Sequence, residues 1–319
     1  MHEFELIKNY FSKISKKNKS ALNLNDDIFF DKNKGIAISV DTYNLGYHFI
    51  DFKYPDLVIK KILRSSISDL ICKGVIPKFY FIAGSGNTKT FSKKNLSLIS
   101  KSLRQEQNKY NISLCGGDTT FSNKLSFTIT SLGYSKKIIY RNKALVNDDI
   151  YVTGNLGDSF MGLQILKNKI KVSNKLKYYF VQKFYLPDIQ IKLTKKLLNF
   201  ANSSIDLSDG LIDDLNKMIN TQNLSFSLNE NKIPISNKLL KIIKMKNMKK
   251  IKLVSNGDDY QILFTASKDK SRIIAQTSKN LGIKISKIGK ICSNKKRSVI
   301  IDEKGKEMVL KNKGYVHQF

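Results

Sequence analysis

Four carboxylates fall within nine residues, Asp206, Asp209, Asp213 and Asp214, around the run Ser204-Ile205-Asp206-Leu207-Ser208-Asp209-Gly210-Leu211. The chain carries 56 Lys and Arg against 26 Asp and Glu, so a local excess of acid is not background composition. The apolar run from Ser203 to Leu207 predicts the end of a buried strand. Gly210 then predicts a sharp turn into a helix whose apolar face is Leu211, Leu215 and Met218. Asp206 and Asp209 stand at that strand-to-helix corner, where hard oxygen ligands can meet a divalent ion and free helix N–H groups can meet phosphate oxygens. Taken alone, Asp209 reads first as a helix N-cap. A cap explains neither Asp206 nor the acidic corners elsewhere.

Those corners recur along the chain. Asp26-Asp27 follows Leu24-Asn25 and precedes Ile28-Phe29-Phe30. Adjacent carboxylates repel and persist either in full solvent or around a cation, although Asp-Asp in a turn is common. Gly35 to Thr42 predicts a strand ending at Asp41, a carboxylate costly to bury unless paired or metal-bound; a plain turn stays open. Asp69 lies near the end of a helix opened by Pro55, where the macrodipole favours a cation, and this mismatch makes it a ligand candidate. Ile112 to Cys115 predicts a short strand meeting the turn Gly116-Gly117-Asp118-Thr119-Thr120, whose glycines let backbone approach a phosphate. The last acidic turn is Ser255-Asn256-Gly257-Asp258-Asp259-Tyr260. His48, in Gly46-Tyr47-His48-Phe49, reads first as a satisfied, partly buried histidine.

The elements that must position these residues alternate between helix and strand, which predicts an α/β chain. A length of 319 residues suggests two domains, 1–146 and 147–319, divided near Asn147-Asp148-Asp149. Helical periods cover 4–14, the segment from Pro55, 92–110, 160–166, 175–184, 189–200, 211–218, 236–245 and 269–280. Strands are expected at 35–42, 79–83, 112–115, 125–135, 150–154, 203–207, 224–228 and 285–291, with Gln261-Ile262-Leu263-Phe264 following the last acidic turn and a hairpin at Asp302-Glu303-Lys304-Gly305.

Composition narrows the function further. No run of eighteen apolar residues occurs, and Met1 to Glu5 has no charged-then-apolar leader, so a cytoplasmic protein without a membrane span is expected. Cys72, Cys115 and Cys292 are far apart and lack zinc or disulfide spacing. The formal charge of +30 points toward nucleic acid, yet only five of the basic residues are arginine and the lysines are spread throughout. Incidental surface charge, able to steer anionic nucleotides, is the preferred reading. A lysine-rich nucleic-acid binder, with the acidic turns as mere caps, is the rival.

In this order, the motifs resemble the thiamine-monophosphate kinases, relatives of the aminoimidazole ribonucleotide and selenophosphate synthetases. The residues that carry the likeness are Asp26-Asp27, Ser39-Val40-Asp41-Thr42 with Gly46-Tyr47-His48-Phe49, Ser68-Asp69-Leu70 with Gly74, Gly116-Gly117-Asp118-Thr119 and Arg141. They continue with Tyr151-Val152-Thr153-Gly154, Gly157-Asp158-Ser159, Leu186-Pro187, Ile205 to Leu211, Gly257-Asp258-Asp259-Tyr260 and Lys313-Gly314-Tyr315. The likeness spans essentially the whole chain, and the N-terminal region lacks the Cys/Gly-rich nucleophile segment of selenophosphate synthetases, the nearest enzyme alternative.

The resemblance implies direct in-line transfer of the γ-phosphoryl group of ATP to thiamine monophosphate, with several Mg²⁺ ions, giving thiamine diphosphate and ADP. It also implies a homodimer joined through the sheets of the N-terminal α+β halves, with layered α/β C-terminal halves. By position, Asp27, Asp41, Asp69, Asp118 and Asp206 are implied Mg²⁺ ligands, with Asp209 on a further ion and Ser39 contributing an oxygen. Gly117, Asp118, Arg141 and Ser208 are implied ATP contacts; His48, Asp258 and Tyr315 are implied thiamine-monophosphate contacts, Tyr315 as an aromatic face for the thiazolium. No side chain is assigned as general base, because the attacking phosphate oxygen is already ionised. This chain departs from the family pattern at Asn25, Val40, Ser66 and Asn256, and at Asp258, where the family's Glu is one methylene longer.

Overall fold

The computed structural model describes residues 3–295 and 297–308. The N-terminal stretch is helical in three pieces, α1 (Glu3–Leu6), a π-helical turn (Ile7–Phe11) and α2 (Ser12–Ser15), over the helix expected at 4–14. A first sheet follows, from β1 (Phe29–Asp31), β2 (Ile36–Asn44), β3 (Ile76–Gly86), β4 (Ser113–Phe121) and β5 (Ser126–Tyr134), in the order β1-β2-β5-β3-β4. The helix α3 (Pro55–Cys72) joins β2 to β3, and α4 (Lys93–Tyr110) is the crossover between the parallel strands β3 and β4. Pro55 suits the first turn of α3, where an N–H is not needed. The Ser92 side chain accepts from Asn95 N at 3.3 Å to start α4, and Asn111, at φ 53, ends it.

Two segments expected to lie outside strands are strand instead. Gly84 to Gly86 continues β3, and Gly116-Gly117-Asp118-Thr119 lies inside β4 rather than in a turn. The cause is parallel pairing at close range: a Cβ on Gly117 would stand 1.8 Å from the carbonyl oxygen of Ile82. Glycine is required there for strand contact, which a period-based reading of one segment does not see.

The second sheet holds β6 (Asp149–Thr153), β7 (Ser203–Asp206), β8 (Leu224–Asn229), β9 (Ile262–Ala266), β10 (Ile285–Ser293), β11 (Val299–Ile301) and β12 (Glu307–Met308), in the order β12-β11-β8-β10-β6-β9-β7. Around it run α5 (Asp158–Leu166), α6 (Asn174–Tyr185), α7 (Thr194–Leu197), α8 (Leu211–Met218), α9 (Asn237–Lys246), α10 (Lys250–Val254) and α11 (Ser271–Leu281). The helix expected at 189–200 is reduced to a 3-10 turn (Ile191–Leu193) and α7. Both sheets carry helices in a mixed α/β architecture, as the alternation predicted.

The helix α3 ties the halves together. Val58, Ile59, Ile62, Leu63 and Ile67 are buried in a core that continues into Tyr151, Phe184 and Phe264 of the second half. Because α3 is covered on all sides, its polar residues are buried as well and need partners. Arg64 donates to Glu106 through Nε (2.7 Å) and Nη2 (2.9 Å), and the Ser66 and Ser131 hydroxyls meet at 3.0 Å. Removing one member of such a buried ion pair costs about 3–5 kcal/mol. No helix among the described residues is long and apolar enough to cross a membrane.

Candidate active site

The acidic corner forms where β7 ends at Asp206 and α8 begins at Leu211. Gly210, at φ +121, passes so close to Ser255 that a Cβ would lie 2.4 Å from its carbonyl carbon. The carboxylate that caps the first turn is Asp214, whose Oδ2 accepts from Asp209 N and Gly210 N, both at 3.0 Å. Asp209 is therefore not the N-cap that its sequence position suggested. Its carboxylate instead pairs with Lys217 and groups with Asp213 and Asp214.

Asp206 meets carboxylates from two distant segments. Oxygens of Asp27, Asp69 and Asp206 all lie within 4.8 Å of one another, although Asp27 precedes β1, Asp69 sits in the last turns of α3 and Asp206 ends β7. Ser39 Oγ–H lies 2.5 Å from Asp69 Oδ2 and 3.4 Å from Asp41 Oδ2, which links β2 to this group. Ser68 Oγ–H donates to Asp206. Burial and mutual repulsion set the acidities: Asp41 is pushed up to about 6 by burial first and then by the Asp206 charge. Asp69 is held well above the usual carboxylate range by burial and by Asp41 and Asp206. Asp206 is raised by burial, against the Ser68 hydrogen bond and the charges of Arg141 and Lys73.

Two cations answer this charge. Lys73, fully buried at the end of α3, places Nζ 2.8 Å from Asp26 Oδ1, 2.7 Å from Asp27 Oδ2 and 2.6 Å from the Ser204 carbonyl. Arg141 grips Asp27 through Nη2 and through Nε at 3.2 Å, and its backbone N–H donates to Asp26 Oδ2 at 3.0 Å. Sequence reading marked Arg141 and the Asp26-Asp27 pair but missed Lys73. No period singles out one lysine among so many, and only its burial shows what it does.

A cleft of about 460 Å³ takes in Asp27, Asp41, Asp69, Asp206, Ser208, Asp209 and Arg141, together with His48, Asp258 and Tyr260. His48 Nδ1 accepts from Asn44 N at 3.0 Å, so that nitrogen carries no proton, and the ring stands edge-on to Tyr43 at 5.6 Å. Asp258 sits on a turn bonded to the first acidic corner: Asp258 N donates to Ser208 O (2.9 Å) and Tyr260 N to Leu207 O (2.8 Å).

Gly117 and Asp118 do not line this cleft. Asp41, Ile129, Ile82 and Gly117 form one register row, so Gly117 lies three strands from Asp41, about 14 Å at the usual strand spacing. Asp118 shares the next row with Ala83, Thr128 and Thr42, on the exposed face of the first sheet. Tyr315 lies outside the described residues.

The clustered ligands of Asp27, Asp69 and Asp206 are all hard carboxylate oxygens without sulfur or imidazole, a donor set that fits Mg²⁺. Residues 21–135 match the family described as AIR synthase related protein, N-terminal domain. Over that stretch, which holds the first sheet, the chain is similar to the AIR synthase-related proteins. The chain is 34% identical over 326 residues to the thiamine-monophosphate kinase of Buchnera aphidicola subsp. Schizaphis graminum, covering 99% of this chain and 98% of that one. It is 31% identical to that of Escherichia coli K12, over 99% and 98% of the two chains. The chain belongs to the thiamine-monophosphate kinase family. The fold agrees: AaThiL complexed with AMPPCP and TMP superposes with a TM-score of 0.85 at 24% identity, covering 99% of this chain and 97% of that one. The enzyme class is thereby a phosphotransferase of thiamine diphosphate biosynthesis.

Proposed function

We propose that the cleft binds ATP and thiamine monophosphate side by side against the carboxylate group and passes the γ-phosphoryl group directly from one to the other. The observation that carries this reading is the convergence of Asp27, Asp69 and Asp206 from three separate elements onto one point, with Asp41 and Ser39 adjoining. Asp27, Ser39, Asp41, Asp69 and Asp206 would hold Mg²⁺, with Asp209 on a further ion. When bound, the ions neutralise the facing phosphates and align them for displacement.

The chain's own groups supply the rest. Arg141, at present on Asp27, has the reach and charge to turn to a nucleotide phosphate once the carboxylate is taken up by a metal. Ser208 lines the same cleft beside Asp209 and offers its hydroxyl to ATP. His48 and Asp258 would contact the thiamine moiety, with Tyr315 as the third contact carried by the resemblance. No side chain has to remove a proton, because a phosphate monoester is largely dianionic at neutral pH.

The division at 146/147 falls between β5 and β6, the last and first strands of the two sheets, which supports reading 1–146 as the nucleotide-binding and dimer-forming half. The exposed face of the first sheet supports a homodimer. Val40, Phe79, Phe81 and Tyr134 are 62%, 37%, 40% and 53% exposed, an apolar surface that a second copy would cover. Asp118 lies on that face in the row of Thr42, which also lines the cleft. It would join the site through the apposed copy.

The test is turnover. Incubation with ATP, Mg²⁺ and thiamine monophosphate is expected to yield thiamine diphosphate and ADP. Asp206→Asn keeps volume but removes metal-binding charge, and should lower kcat at least about a hundredfold with Tm little changed. Wild-type rates in Asp206→Asn would remove that residue from the metal site. No product from the wild type, with salt-sensitive binding to DNA or RNA, would favour the nucleic-acid reading.

A further inference from the structure

Lys61 is a buried cation that the reaction as described does not use. It lies on α3 with its side chain 1% exposed, Nζ 2.8 Å from Asp258 Oδ1 and 3.4 Å above the centre of the Phe184 ring. Burial lowers its pKa and Asp258 opposes that shift. Asp258 belongs to the second half of the chain, and its turn is left-handed at three positions, Gly257 (φ 73), Asp258 (φ 63) and Tyr260 (φ 50). For residues with a Cβ this conformation is unfavourable and persists only where surroundings impose it. Tyr260 OH also donates to Asp258 Oδ1, at 3.2 Å, so this single oxygen is committed to two donors while the Asp258 side chain, 24% exposed, lines the cleft.

The geometry points to Lys61 as a positioning residue: through Asp258 it fixes the carboxylate that meets the thiamine moiety of the acceptor substrate, and so sets affinity for thiamine monophosphate. This rests on the reading of Asp258 as a substrate contact. A charge-assisted bond from a rigid helix holds the carboxylate in place and leaves its other acceptor positions to the cleft. Lys61 is fully covered, with its ammonium between the Phe184 ring and the Asp258 carboxylate. The contact also runs from the first half of the chain to the second, so α3, which carries Asp69, and the substrate-recognition turn share one support.

Steady-state kinetics on Lys61→Met, Asp258→Asn and the double variant, each with its Tm, test this. Methionine keeps most of the lysine stem, so packing is largely preserved. Lys61→Met is expected to raise KM for thiamine monophosphate on the order of tenfold, with kcat and KM for ATP within about twofold. Asp258→Asn should do the same, and the double variant should be no worse than Asp258→Asn, because both changes remove one arrangement. A lower Tm with unchanged KM in Lys61→Met, or effects that multiply in the double variant, would overturn the assignment. An unchanged KM in Asp258→Asn would remove the substrate reading beneath it, and the proposal with it. If Lys61→Met does not fold, Lys61→Arg, which displaces the charge, should still move KM for thiamine monophosphate alone; an unmoved KM there overturns the proposal equally.

Discussion

Asp41, Asp69 and Asp206 share a confined space where each makes the next harder to ionise, and the measurable consequence is competition between protons and metal. Asp41 titrates in the folded, metal-free protein at about 6, against an ordinary 3.8. Between these values the folded state binds more protons than the unfolded one. The metal-free protein therefore loses stability from this group as pH rises from about 4 to about 6, and no more above that. Mg²⁺ reverses the balance by favouring the ionised form. The Mg²⁺ concentration for half-maximal rate should accordingly rise steeply as pH falls below about 6. Calorimetry of Mg²⁺ binding at pH 6 should show a heat that varies with the ionisation enthalpy of the buffer, because protons are released. Buffer-independent heats would contradict the shared acidic site.

At the scale of elements, the site depends on two turns locked together. Gly257 has φ +73, and a Cβ there would lie 2.0 Å from the Ser208 carbonyl oxygen, a backbone atom that cannot swing away. Gly282, at φ +64 with nothing within 4 Å, has the same backbone conformation and open space. Gly257→Ala should therefore cost on the order of 2–4 kcal/mol and lower Tm by several degrees, whereas Gly282→Ala should cost only about 1 kcal/mol. Thermal melts of the two variants separate the clash from the conformational term; equal losses would mean the turns are not in contact. The turn chemistry was legible in sequence because Gly beside Asp at a strand end is a local signal. Asp206 and Asp258 were found that way, and Asp69 by its place near a helix end that favours a cation. The Gly116-Gly117-Asp118 segment was misplaced because its glycines answer to β3, thirty-odd residues earlier, rather than to their own neighbours. Lys61 and Lys73 were hidden for a related reason: in α3 polar and apolar residues are buried alike, so periodicity could not tell an interior ammonium from a surface one.

For the whole molecule, the proposal that a complete site draws on two copies rests on the exposed apolar sheet face and the position of Asp118 on it. Asp118→Asn and Asp206→Asn should each be nearly inactive alone. If the two residues serve one site from different copies, mixing the variants after dissociation and reassembly restores one intact site per mixed dimer, about a quarter of wild-type activity at statistical exchange. If both act within one copy, mixing restores nothing. A net charge of +30 would steer two anionic substrates, and steering of this kind should make kcat/KM fall as salt rises while kcat holds.

Carboxylates from separate elements are proposed to hold metal between two phosphorylated substrates. Crystals grown with Mn²⁺, a non-hydrolysable ATP analogue and thiamine monophosphate test it most directly, by anomalous scattering at the manganese edge. Peaks are predicted among the carboxylates of Asp27, Asp69 and Asp206, in contact with phosphate oxygens. Both ligands bound with no anomalous peak among these three residues would contradict it.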